Sequence, residues 1–161
     1  YVFEDIIRLG CKFAILGSGE KIYEDFFSEM HYRYPDRVGL TIGFVPELSK
    51  KIYAGADMFL MPSQSEPCGL AQMIALRYGT IPIVRETGGL RDSIHDAGDK
   101  NGNGFTFKSY NAHDMLDAVV RARAYYDDKM KWGRLVNTAL KQNFSWTKSA
   151  KDYIALYNDI H

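Results

Sequence analysis

The stretch from Asp57 to Leu90, DMFLMPSQSEPCGLAQMIALRYGTIPIVRETGGL, constrains the fold of this chain most. A short apolar run, Met58 to Met61, ends at Pro62 and is followed by a polar loop, Ser63 to Pro67. Cys68-Gly69 then opens a segment in which Leu70, Met73, Ile74 and the pair Arg77-Tyr78 recur at helical spacing, and Gly79 closes it. A second apolar run, Ile81 to Val84, leads into Thr87-Gly88-Gly89-Leu90, which reads as a loop. The order is strand, loop, helix, strand, loop. In a parallel sheet both loops lie at the carboxyl edge, where open α/β sheets bind their ligands. Glu66 stands just ahead of a helix start. Free backbone N–H groups and the helix dipole at that point suit an anion. A carboxylate beside them suits hydroxyl groups or a developing cation.

The 161 residues, 46% of them apolar, are enough for one domain with a core. No apolar run approaches the roughly 20 residues of a membrane-crossing helix. Twenty basic and 20 acidic side chains cancel, which argues against nucleic acid or an anionic membrane as a strong partner. Cys11 and Cys68 lie far apart in no metal-like spacing, which sets a reduced, cytosol-like compartment as the expectation. The chain opens at Tyr1 on a helix-like VFEDIIRLG, so it is expected to be a fragment of a longer polypeptide.

The rest of the chain repeats the alternation. Val2 to Leu9 reads as a helix end, and Lys12 to Leu16 as a strand followed by Gly17-Ser18-Gly19. A helix is predicted from about Glu20 to Tyr32, with Ile22, Phe26 and Met30 on one stripe. Val38 to Phe44 is a strand. Pro46 starts a helix to about Ala54 with Leu48, Ile52 and Tyr53 inward. After a glycine-rich loop, Asp96 to Gly104, Phe105 to Phe107 is a short strand. Three helices close the sequence: Asn111, a cap, to about Tyr126; Lys129 to Gln142; and Thr147 to Ile160, with Ala150, Tyr153, Ile154 and Tyr157 on one face. Five strands alternating with helices predict an α/β fold, a doubly wound parallel sheet with a helical C-terminal cluster.

Each candidate site has a structural alternative. Gly17-Ser18-Gly19 can cradle phosphate or ribose, or be a tight turn that needs glycine for its dihedrals. It lacks the third glycine of a dinucleotide fingerprint, and no Gly-Lys-Ser/Thr phosphate loop occurs. In Glu66-Pro67-Cys68-Gly69-Leu70, Pro67 fixes its own φ and pushes Glu66 toward an extended backbone. The alternative is an acidic residue favoured by the helix dipole. Cys68 has no histidine near it in sequence and reads as a small residue packed at the helix start. Thr87-Gly88-Gly89 lets backbone approach a ligand, or simply turns a loop. His31, His95, His113 and His161 are scattered, read as surface or helix-end positions, and show no metal-ligand spacing. The basic residues between Arg121 and Lys151 read as a solvated helical face.

The string PSQSEPCGLAQMIALRYGTIPIVRETGGLRDSI resembles the C-terminal domain of bacterial glycogen synthases and plant starch synthases. The similarity extends to LGSGEKIYEDFF, YPDRVGLTIGF, LSKKIYAGADMFLMPS, NGFTF and FSWTKSAKDYIALY. These are retaining glucosyltransferases of the GT-B fold, with two Rossmann-like domains and the active site between them. The resemblance implies a single nucleotide-sugar-binding domain over residues 1–161, with an N-terminal acceptor domain lying elsewhere. It implies ADP-glucose as donor, an α-1,4-glucan as acceptor, and no cofactor or metal. Glu66 matches the glutamate that contacts the transferred glucose. Gly69 and Leu70 match backbone positions at the diphosphate, and Phe44 an aromatic that stacks on the base. Thr87, Gly88 and Gly89 match a second glycine loop; Cys68 and Ala71 complete the donor-binding set. Three departures stand out. Ile74 occupies the place of a second glutamate found in many relatives. Ala71 replaces a threonine and Phe44 a tyrosine. The diphosphate-clamping basic pair of the family is expected upstream of Tyr1. The alternatives are another GT-B transferase using a UDP-sugar, or a non-catalytic nucleotide- or glucan-binding module. The compartment implied is the cytoplasm, or a plastid for a plant source. The isolated chain is expected to be inactive, and the Trp146, Tyr153 and Tyr157 stripe to favour self-association.

Overall fold

The computed structural model describes residues 1–160, so His161 lies outside the described residues. The elements alternate as the periodicity predicts: α1 (Phe3–Arg8), β1 (Phe13–Gly17), α2 (Lys21–Arg33), β2 (Val38–Ile42), α3 (Pro46–Gly55), β3 (Met58–Met61), α4 (Ala71–Tyr78), β4 (Ile81–Arg85), α5 (Gly88–Ser93), β5 (Phe105–Phe107), α6 (Ala112–Asp127), α7 (Lys129–Leu140) and α8 (Trp146–Ile160). Every strand pairing is parallel. The α/β class with parallel strands therefore holds, and the helices gather at the C-terminal end. The strands, however, form two ladders, β1-β2 and β3-β4-β5, and no ladder joins β1 to β3. Among the described residues no strand stands between them, and a cavity of about 1240 Å³ occupies the gap.

The core is centred on β4. Ile81, Ile83 and Val84 are buried there, between Phe105 and Phe107 of β5, Ala75 and Leu76 of α4, Ala118, Val119 and Ala122 of α6, and Leu135 and Ala139 of α7. Each large apolar side chain so buried contributes roughly 1.5–3 kcal/mol. The β1-β2 side is thinner. Val38 and Met30 are its buried hydrophobics, reinforced by an aromatic cluster in which Phe3 stacks on Phe13 at 4.2 Å and meets Phe26 and Phe27 edge-on. Helix ends follow local chemistry. Asn111 caps α6, its side chain accepting from the His113 and Asp114 N–H groups, as expected. Asp128 caps α7 in the same way. Gly79 ends α4 with a left-handed φ of 78°.

Three local expectations are corrected. The buried stripe of α4 is Gln72, Ala75 and Leu76, whereas Leu70, Ile74 and Tyr78 are exposed. Both stripes have helical spacing, and the inward one contains a glutamine whose Nε2 is bonded within the fold. Gly88-Gly89-Leu90 is the start of α5, not a loop; Leu90 is fully buried and anchors it. On α2 the predicted stripe is buried only at Met30; Ile22 is exposed, and Phe26 is partly exposed at the edge of its contact with Phe3. The aromatic stripe of α8, Trp146, Tyr153 and Tyr157, is exposed as expected, and no residue of that helix is buried.

Candidate functional site

The loops after β3 and β4 meet at the carboxyl ends of the strands. Gly89 N–H donates to the Glu66 carbonyl at 3.1 Å. A Cβ on Gly88 would lie 2.1 Å from that same oxygen, and one on Gly89 would lie 2.0 Å from the Cys68 carbonyl oxygen. Any side chain at either position drives the loops apart, so the Gly-Gly pair is what allows them to touch. Gln72, fully buried on α4, binds the junction from beneath. Its Nε2 donates to the Cys68 carbonyl (3.2 Å), the Gly69 carbonyl (2.9 Å) and Ser93 Oγ (3.1 Å). Ser93 Oγ in turn donates to the Gly89 carbonyl at 2.6 Å. Gln72 Oε1 is buried without a partner. Gly69 adopts φ 73°, and a Cβ there would meet Gln72 Oε1 at 2.6 Å.

Arg85, at the end of β4, holds the other side of the same loop. Its guanidinium donates to the carbonyls of Ser63 (3.0 Å), Lys108 (3.3 Å) and Gln64, and it lies over the Tyr110 ring. Next to it, Thr106 Oγ1 donates to Glu86 Oε1 at 2.7 Å. Asp96 accepts from the Thr106 N–H (2.9 Å) and pairs with Arg121 (2.8 Å). Burial alone would raise the Asp96 carboxyl. Hydrogen bonds from Arg121, Thr106 and Gly98 outweigh that and hold it below its ordinary value. These contacts fix the β4 and β5 ends to which the site loops are attached.

The fold thus brings Glu66, Cys68 and Gly69 together with Gly88 and Gly89, and Thr87 occupies the position before α5 beside them without a side-chain capping bond. Glu66 is half-buried, and its main-chain oxygen, not its carboxylate, takes the Gly89 bond. Leu70 and Ala71 form the start of α4, Leu70 exposed and Ala71 half-buried. The first N–H groups of a helix have no intrahelical partner. Cys68 is exposed, its thiol directed at the Gly69 carbonyl. Phe44 is 90% exposed after β2. It stands on the other ladder, as does Gly17-Ser18-Gly19. That tripeptide does not need glycine for its dihedrals: neither Gly17 nor Gly19 has a positive φ, and a Cβ on either would meet nothing within 4 Å. His31, His95 and His113 are exposed. Among the described residues no three His, Cys, Asp or Glu side chains gather as a metal site would require. Sequence reasoning missed Gln72, Ser93 and Arg85. A polar residue in register with Ala75 and Leu76 was the available signal for Gln72. Nothing local marked the other two.

Residues 3–134 match the family described as glycosyl transferases group 1. The chain belongs to that family. This group 1 glycosyl transferase chain is 52% identical over 161 residues to the glycogen synthase of Anoxybacillus flavithermus, covering 99% of the chain and 33% of that relative. The Bacillus anthracis glycogen synthase is likewise 52% identical, with 99% of the chain and 34% of the relative covered. The chain therefore spans about a third of the length of the curated relatives it matches. Among solved structures, the catalytic domain of Starch Synthase IV from Arabidopsis thaliana, bound to ADP and acarbose, superposes with a TM-score of 0.85 at 39% identity. That match covers 98% of this chain and 34% of the other. Anabaena HepE in complex with UDP, at 16% identity and a TM-score of 0.69 over 98% of this chain and 44% of that one, shares the fold. No described helix is long and apolar enough to cross a membrane.

Proposed function

We propose that residues 1–161 form the nucleotide-sugar-binding domain of a glycogen or starch synthase, which transfers glucose from ADP-glucose to the non-reducing end of an α-1,4-glucan with retention. The observation that carries this reading is the junction of the two site loops. It leaves the half-buried Glu66 carboxylate beside the start of α4, outside the internal bonding that locks the loops. The names of the relatives, and the ADP in the starch synthase structure, support the same choice of donor.

Chemistry follows from position. Departure of ADP builds negative charge on the diphosphate. The amides of Cys68, Gly69, Leu70 and Ala71, at the positive end of α4, are placed to stabilise it. The glucosyl group passes through an oxocarbenium-like state, and the Glu66 carboxylate orients its hydroxyls and offsets its positive charge. Thr87, Gly88 and Gly89 line the opposite wall, and the exposed Phe44 ring stacks on the base. The acceptor glucan binds a second domain outside these residues, so the isolated chain does not elongate glucan. The aromatic face of α8, with Trp146, Tyr153 and Tyr157 exposed, serves as a self-association surface. The bacterial relatives favour the cytoplasm as the compartment.

A titration of the chain with ADP and then UDP, followed by backbone amide NMR, tests the donor site. Shifts at Phe44, Gly69, Leu70, Gly88 and Gly89 that are larger for ADP support it. A UDP preference would move the chain to UDP-sugar transfer, and shifts elsewhere would discard the site. In the intact enzyme, Glu66→Ala is expected to lower turnover by about 100-fold or more with the fold retained. A near wild-type rate would remove Glu66 from the mechanism.

A further inference from the structure

Gln72 places an amide where an apolar side chain would pack at less cost. It is fully buried on the inward face of α4, in line with Ala75 and Leu76. Its neighbours Cys68 and Gly69 offer carbonyl oxygens, which only accept, so the amide nitrogen and not its oxygen takes that side. Oε1 is thereby left buried with no partner. Such an orphan costs stability, and a methionine of similar length would avoid it. In return the fold gains the direction of two peptide groups. A trans peptide is planar, with its N–H opposite its C=O, and no described peptide is cis. The Cys68 carbonyl shares its plane with the Gly69 N–H, and the Gly69 carbonyl with the Leu70 N–H. Drawing both oxygens onto Gln72 turns both N–H groups away from the core at the start of α4. Neither N–H has an acceptor among the described residues. Gly69 has a left-handed φ of 73° and Leu70 is right-handed. Successive N–H groups in such a turn share one side, as in the backbone concavities that bind anions.

Ser93 fixes Gln72 in turn. Its Oγ accepts from Gln72 Nε2 at 3.1 Å and donates to the Gly89 carbonyl at 2.6 Å. Its own carbonyl accepts from Nδ2 of Asn103, another fully buried side chain, at 3.0 Å. Asn103 Oδ1 accepts from the His95 N–H at 2.8 Å. A chain of internal polar groups thus runs from the 96–104 loop through α5 to the start of α4, and it reaches both walls of the candidate site. We infer that Gln72, held by Ser93, is a positioning residue for the donor: it presents the Gly69 and Leu70 N–H groups to the diphosphate and keeps them there as charge builds on the leaving nucleotide. Both side chains act through backbone. Their role presupposes the donor site proposed above, with the diphosphate at the start of α4.

Variants of the intact enzyme test this. Gln72→Met keeps the length of the side chain and removes its N–H donors. Its kcat per folded molecule is expected to fall about tenfold or more, because the amides no longer face the developing charge. The inhibition constant of ADP is expected to rise about tenfold, with the KM for glucan unchanged. A role confined to stability lowers the folded fraction and leaves the ADP constant at its wild-type value, and that result overturns the inference. Ser93→Ala and Ser93→Thr decide the matter if Gln72→Met fails to fold. The alanine variant is expected to weaken ADP inhibition, and the threonine variant, which keeps the hydroxyl, to restore it. Equal ADP constants in the two overturn the inference. Backbone amide shifts on adding ADP to the wild-type enzyme keep the two readings apart. No shift at Gly69 and Leu70 removes the diphosphate from α4 and the positioning role with it. Shifts there, with variant constants unchanged, retain the donor site and remove Gln72 and Ser93 alone.

Discussion

Gly89 is the position where one added carbon has the largest consequence. Its Cβ would sit 2.0 Å from a backbone oxygen that cannot move aside without carrying Glu66 with it. Gly89→Ala is expected to destabilise the chain by about 2–3 kcal/mol in urea unfolding. Gly17→Ala, with open space around it, should stay within about 0.5 kcal/mol of wild type. Gln72→Leu strips the Cys68 and Gly69 carbonyls of their donor and should cost about 1–3 kcal/mol. The two cysteines are also expected to separate. Burial pushes the Cys11 thiol up against the opposing pull of Arg123, while Cys68 is exposed, so a thiol reagent at mildly alkaline pH should modify Cys68 first, as peptide mass mapping would record. Of these residues, Gly88 and Gly89 were legible because adjacent glycines mark a backbone requirement. Gln72, Ser93 and Arg85 were not, because a buried hydrogen bond depends on partners that local sequence does not name.

Helix α8 is held by little beyond its own backbone. None of its residues is buried, and isolated helices of its length are marginal in water. Truncation after Asn143 is therefore expected to change unfolding stability by less than about 0.5 kcal/mol. Its amides should also exchange among the fastest of any helix. Apart from α5, the existence of these helices and strands was legible from period alone. Which face turns inward was not always so. On α4 the exposed Leu70, Ile74 and Tyr78 are as apolar as a core stripe, and the true inward face carries Gln72. α5 was missed because two adjacent glycines carry no helix signal, and it is the burial of Leu90 that sets it in place.

The Asp96–Arg121 pair ties the 96–104 loop, β5 and α6 into one body. A carboxyl held below its ordinary value binds its proton less tightly when folded than when unfolded. Its contribution to stability is complete above the ordinary value of 3.8 and disappears as pH falls through the lowered one. Arg121→Leu should therefore lose stability at neutral pH and show a shallower decline below about pH 4 than wild type, in denaturant midpoints measured across that range. The assembly of strands into two ladders was invisible in the sequence. Alternating elements specify parallel strands, yet the neighbour of each strand is a long-range choice that periodicity does not encode. The site is encoded differently. The Arg85 clamp on Ser63, the Gly89 contact with Glu66 and the Gln72 bridge to Ser93 all close within residues 63–93. A single recombination event, or one synthetic cassette cut at the ends of that segment, would move the whole arrangement into another scaffold with its internal clamps intact. A crossover anywhere inside it would separate partners that no surrounding structure could replace.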